Sequence, residues 1–245
     1  MPLVTKSQII VLHLTKYGDS GVIVHVVDSL SGRQSLYLRG IKKSKNNAVL
    51  SYFHNLNVLE AVTASSPNSS LSYLREYEPL FSLEEIRSDV YKRTIALFIS
   101  EVIYRSMTAE NGDLSLFKWL VESIVSLNNM DGPISNYHLW WLTVYCCKMG
   151  FRPNDNYSSE REVFDIQTAQ FTMYSSYNSQ ILTFGKENSE LLHKLLNSDI
   201  YGAMSLPLSS SRRKSYAQNM IDYLSYHLGI QINIKSLNIF HDIFN

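Results

Sequence analysis

The stretch QIIVLHLTKYGDSGVIVHVVDSLSGRQSLYLRGIKKSK, residues 8–45, decides the fold. Gln8–Leu14 is a run of β-branched and leucine side chains. Gly21–Val27 alternates around Val22, Val24 and Val26, and Arg33–Arg39 alternates polar with apolar, Leu36 and Leu38 sharing one face. A period of two is that of a half-buried strand. The separators, Tyr17-Gly18-Asp19 and Asp28-Ser29-Leu30-Ser31-Gly32, carry the glycine, aspartate and serine of tight turns.

Outward from this stretch, Asn55–Val62 and Leu71–Tyr77 read as two more strands on either side of Ser65-Ser66-Pro67-Asn68. Five short strands in about 75 residues suit a small barrel, such as the five-stranded Greek-key OB-fold; an SH3-like barrel shares the periodicity. From residue 82 the period changes. Ser82-Leu83-Glu84-Glu85 has the spacing of a capping box. Apolar residues from Ile86 to about Met107 then follow at mostly helical spacing.

Asn111-Gly112-Asp113 breaks and recaps the chain. Leu116, Trp119, Leu120, Ile124 and Leu127 form a second helical stripe, and a third helix runs from about Ser135 to Met149, with Gly150 suited to its C′ position. Three helices with short links predict a compact bundle. Val163–Ile166 and Gln170–Tyr174 read as short strands within a β insert at about 151–185. Helices resume over Ser189–Leu196, Ser211–Leu228 and Ile234–Ile243. The fold class predicted is α+β: a barrel over residues 1–79, then a mainly helical domain over 80–245.

The chain has 245 residues, 45% of them hydrophobic, enough for one large core or two modest ones. No run reaches the roughly 18 apolar residues of a membrane helix. Nor does the N-terminus read as a secretory signal, so a cytoplasmic protein is expected. Cys146 and Cys147 are the only cysteines, adjacent in an apolar helical run, and read as ordinary buried thiols.

Net charge is zero, but its distribution is uneven. Residues 1–75 hold eight basic side chains (Lys6, Lys16, Arg33, Arg39, Lys42, Lys43, Lys45, Arg75) against three acidic ones (Asp19, Asp28, Glu60), an excess of five that the remainder reverses. Such asymmetry points to a polyanionic partner. Arg39-Gly40-Ile41-Lys42-Lys43-Ser44-Lys45 concentrates it directly after the third strand. Arg39, Lys42, Lys43 and Lys45 are the candidates for phosphate contact, with Arg33 and Lys16 behind them. Tyr37 and Phe53 flank the cluster as candidate stacking faces for unpaired bases. Set against this is a plain solvated loop with its aromatics in the core. Ser209–Lys214 is a second basic cluster, read as a solvated face at a helix start, with DNA contact as the lesser reading.

Enzymatic templates are unmatched: no GxGxxG or Walker loop follows a strand, no Gly-x-Ser-x-Gly elbow or His-Glu-x-x-His helix occurs, and the seven histidines are scattered. Glu84 and Glu85 suit a helix first turn rather than acid–base work. The carboxylates are too dispersed to suggest a two-metal nuclease. The reading is a non-enzyme, with no catalytic or metal-binding residue and no cofactor.

Ile9-Ile10-Val11-Leu12, Tyr17-Gly18-Asp19-Ser20, Ile23-Val24, Ser31-Gly32-Arg33 and Leu38–Lys45 together resemble the opening of the bacterial RecO family. Tyr73–Glu78, Ser100-Glu101, Phe117, Leu142 through Met149-Gly150-Phe151-Arg152-Pro153, Phe164-Asp165-Ile166, Phe171 and Tyr226-His227-Leu228-Gly229 with Ile234–Leu237 follow that family's order over nearly the whole chain.

The resemblance implies an N-terminal OB-fold, a helical bundle and a zinc-finger-like insert. It further implies binding of single- and double-stranded DNA, annealing of complementary strands, and recombinase loading with RecR. A contact to the C-terminal tail of single-stranded-DNA-binding protein and a nucleoid-associated location go with it. Many members carry zinc-binding cysteines after the Gly-Phe/Tyr-x-Pro segment. Residues 154–162 have none here, so a metal-free insert held by the Phe164 and Phe171 strands is expected. Outside the resemblance, the competing reading is a protein-interaction scaffold whose barrel docks a peptide.

Overall fold

A computed structural model describes residues 3–18, 21–39, 47–65, 71–108, 112–173 and 182–243. By packing, the chain forms two compact units, Met1–Met130 and Asp131–Asn245.

The first unit opens with β1 (Leu3–Tyr17), β2 (Gly21–Asp28) and β3 (Gly32–Arg39). After α1 (Asn47–Leu50) and a 3₁₀ turn at Ser51–Phe53 come β4 (Val58–Ser65) and β5 (Ser72–Pro79). They close a barrel in the order β1-β2-β3-β5-β4, antiparallel throughout except for the parallel β3–β5 seam, where Leu36 meets Ser72 and Tyr37 meets Tyr73. This is the five-stranded OB-fold barrel.

β1 is twice the length the apolar run alone suggests, because its first half pairs with β4 (Leu3 opposite Ser65) and its second with β2 (Tyr17 opposite Gly21). Ile9, Val11, Val22, Val24, Val26, Leu36, Leu38, Leu59, Ala61 and Leu74 fill the interior, and Phe53 of the 3₁₀ turn joins them. The β2–β3 turn forms because the buried Asp28 carboxylate accepts from the N–H groups of Leu30 and Ser31 and from Ser7 Oγ, while Gly32 takes φ +73°.

α2 (Glu84–Ser88), α3 (Val90–Ser106) and α4 (Leu114–Asn129) complete this unit. The expected capping box is not formed. Leu83 precedes α2 without a side-chain cap, and the N–H of Ile86 donates instead to Asn128 Oδ1 of α4. Asp89 then breaks the single predicted helix in two: its N–H closes on Glu85 and its carboxylate accepts from Lys92 N. Asp113 caps α4 as the sequence suggests. β5 ends at Pro79, but these three helices group with the barrel rather than with the C-terminal half of the chain.

The second unit holds α5 (Tyr137–Lys148), β6 (Val163–Asp165), β7 (Gln170–Thr172), α6 (Gly185–Leu196), α7 (Ile200–Met204), α8 (Ser210–Leu228) and α9 (Ser236–Ile243). Its core is aromatic: Trp141 stacks on Tyr145 at 4.7 Å, and the buried Tyr216 hydroxyl pairs with Thr143 at 2.8 Å. Gly150 and Gly229 end α5 and α8 in left-handed conformations, at φ +89° and +66°. Cys146 is a buried free thiol whose pKa burial raises, and Cys147 is half-buried. Among the described residues no helix is long and apolar enough to cross a membrane.

Candidate nucleic-acid interface

Strand alternation sorts the barrel residues. Valines 22, 24 and 26 point inward, so Gly21, Ile23 and His25 lie outward, and pairing sets Tyr17, Thr15 and His13 beside them on β1 and Arg39, Tyr37 and Ser35 on β3. This outer face has two halves. Near the β2–β3 turn it lies under α3: His13 and His25 stack at 4.2 Å, and the Tyr104 ring of α3 meets His13 edge-on at 4.2 Å. His25 also bonds Thr15 and Ser35, both at 3.0 Å. Burial first, then the neighbouring His25, Arg105 and Arg33 charges, lowers His13 to about 4, with Glu101 opposing. Burial and Arg33 likewise lower His25.

The other half is uncovered by α3. Tyr37 lies between Tyr17, at 5.5 Å, and Tyr73 of β5, at 5.7 Å, each edge-on. Tyr17 is 53% exposed. Arg39, also exposed, holds its guanidinium 4.7 Å from the Tyr73 ring and 6.0 Å from that of Tyr37, and donates a long 3.4 Å bond to the Tyr73 hydroxyl.

The expected site residues are thus separated. Arg39 and Tyr37 come together on one open face. Arg33 does not join them: its Nε donates to the Met107 carbonyl at 2.7 Å and its guanidinium lies 4.9 Å from the Tyr104 ring, so it fastens the end of α3 to the barrel. Lys16 is exposed but pairs with the inward-facing Val22, which puts it on the opposite side of the strand from Tyr17. Phe53 corrects the stacking expectation: it is 3% exposed, packed on Tyr77 at 4.8 Å, and has no free face. Lys42, Lys43 and Lys45 lie outside the described residues; the chain enters them directly after Arg39.

Sequence reasoning missed Tyr17, which looked like part of a turn, and Tyr73, whose place depends on the β3–β5 register. The second basic cluster is engaged within its own unit. Arg212 pairs with Glu187, Arg213 donates to the Leu208 carbonyl at 2.6 Å, and Ser209 caps α8; Lys214 alone of the three is exposed.

Among the described residues no group of three His, Cys, Asp or Glu could hold a metal. Asp155 is engaged with His193 Nδ1 at 2.7 Å and Asn197 Nδ2 at 2.6 Å, and thiolates are missing from the insert. The donors do not fit zinc. Instead, Asn156 clamps Phe171 through both backbone groups, at 3.0 and 2.7 Å, and Ser189 Oγ accepts from Phe164 N. Phe164 meets Phe171 and Phe184 edge-on at 5.1 and 5.0 Å.

The family model described as "Recombination protein O N terminal" matches residues 1–83. A Bacteroides fragilis protein named DNA repair protein RecO is 30% identical over 248 residues, covering 96% of this chain and 97% of that protein. Proteins of the same name are similar from Flavobacterium psychrophilum, at 28% over 241 residues, and Azobacteroides pseudotrichonymphae, at 26% over 240, each covering 98% of this chain and 99% of its own length.

Proposed function

The chain belongs to the RecO family of DNA repair proteins, and from that premise we propose that it is a recombination mediator. It binds single- and double-stranded DNA, anneals complementary strands, helps load recombinase together with RecR, and contacts the C-terminal tail of single-stranded-DNA-binding protein. The barrel, residues 1–79, is assigned to DNA, and the mainly helical remainder, 80–245, carries partner contacts. The observation that carries the reading is Arg39, exposed at the end of β3, seated on Tyr73 at the point where the chain enters Lys42, Lys43 and Lys45.

The physics of annealing asks for no bond chemistry. Two polyanionic strands repel, and cations that bind phosphates and release counterions lower that repulsion. A cationic segment beginning at Arg39 has the required sign and density. A guanidinium stacked on an aromatic ring keeps its N–H edge free for a phosphate oxygen. Lys16 adds charge at the barrel mouth, whereas Arg33 is engaged at α3.

The test is an annealing assay on complementary oligonucleotides, bare and coated with single-stranded-DNA-binding protein, alongside binding at several salt concentrations. The Lys42→Ala, Lys43→Ala, Lys45→Ala triple variant is expected to anneal poorly. Its log K against log [salt] slope should be shallower by about 2, three phosphate contacts each contributing about 0.7 on a single strand. An unchanged slope removes this segment from the mechanism, and failure of the wild type to anneal removes the function.

A further inference from the structure

The charged segment explains attraction to any nucleic acid, but the open half of the outer face holds more than charge. Across it run Tyr17 on β1, Gly21 on β2, Tyr37 on β3 and Tyr73 on β5. Tyr17 is paired with Gly21, Gly21 with Arg39, and Tyr37 with Tyr73. β2 thus contributes no side chain to this row, and the Tyr37 ring occupies the space. A Cβ built on Gly21 would overlap the Cε2, Cζ and Oη atoms of Tyr37. Gly21 has no need of a left-handed backbone; what is used is its missing side chain.

We infer that Tyr17, Tyr37 and Tyr73, with Arg39 beside them, form a stacking surface for unpaired nucleobases, and that Gly21 is the positioning residue that lets Tyr37 lie across β2. The inference rests on the DNA-binding reading above and adds strand selectivity to it. Bases in a duplex have both faces covered by their neighbours, whereas unpaired bases can exchange a wet face for a tyrosine ring. Phosphate contacts hold either form; the rings favour the single strand. Such a surface would hold a melted strand with its bases splayed while the cationic segment brings its complement.

The inference is read from the ratio of single-strand to duplex affinity for the full chain, measured by anisotropy with a dT oligonucleotide and a hairpin duplex. Replacing Tyr17 and Tyr73 by Ala should weaken the single strand by about tenfold or more and leave the duplex within about twofold. Tyr17→Phe with Tyr73→Phe keeps the rings and should restore the ratio. Gly21→Ala changes no charge and displaces Tyr37, so it should lower the ratio while thermal melting confirms a folded barrel. A 2-aminopurine placed in the dT strand should be quenched on binding the wild type and less so on Gly21→Ala. If the alanine pair leaves the ratio unchanged, or the phenylalanine pair fails to restore it, the stacking surface is wrong. The effect of the Lys42, Lys43 and Lys45 substitutions would still stand. Absence of any DNA binding by the wild type overturns both.

Discussion

On the outer face of β1, β2 and β3, the row His13–His25–Ser35 and the row Tyr17–Gly21–Arg39 lie a few residues apart on the same strands and meet opposite surroundings. Both halves carry aromatic rings and both carry an arginine from β3. Over the first, α3 brings Tyr104 and the Met107 carbonyl, so Arg33 and the imidazoles are engaged in joining helix to barrel. Over the second α3 brings nothing, and Arg39 rests on tyrosine with its charge toward solvent. What separates an arginine engaged within the fold from one left exposed here is the element above it, since strand position and residue type are matched.

That contrast can be tested residue by residue. Tyr104→Ala should have the largest effect on stability, about 2 to 3 kcal/mol, because its ring contacts with His13 and His25 and its cation–π contacts with Arg33 and Arg105 are lost together. Thermal or denaturant unfolding measures it. Arg33→Ala should cost about 2 kcal/mol by the same measurement, as the Met107 carbonyl loses a charged donor, and should leave single-strand affinity near the wild type. A large loss of DNA binding in Arg33→Ala would erase the distinction between the halves.

Acid should act on the covered half alone. An unfolded imidazole titrates near 6.5 and folded His13 near 4, so the unfolded state takes up the proton first. His13 therefore contributes stability that is whole above about pH 6.5 and is lost as pH falls toward about 4. A His13→Phe variant should show a flatter melting temperature across that window, and identical profiles would contradict the assignment. Arg39→Ala should be the mildest for folding, within about 0.5 kcal/mol, while lowering the single-strand salt slope by about 0.7.

The alternation of Val22, Val24 and Val26 and the turn chemistry of Asp28–Gly32 made the barrel strands legible, because one period and one buried carboxylate suffice. Helix ends at Asp113, Gly150 and Gly229 were legible for the same local reason. The start of α2 was not, since the partner that replaces the missing cap, Asn128, is remote in sequence, and the split at Asp89 was hidden by apolar spacing that runs on through it. Arg39 and Tyr37 could be read from the chain. Tyr73 could not, because only the parallel seam carries it to Tyr37. Phe53 and Tyr37 flank the same basic segment and look alike in sequence; the 3₁₀ turn sends one into the core and the strand sends the other out.

The double duty of β1 has a kinetic consequence. Leu3 must find Ser65 before the cylinder can close, so the first strand made waits for the fourth, and closure cannot precede synthesis of nearly the whole barrel. Contacts so distant in sequence slow folding. On the ribosome, the β1–β2–β3 meander should emerge as an open sheet with a raw edge, a window in which a chaperone or a second nascent chain could pair with it.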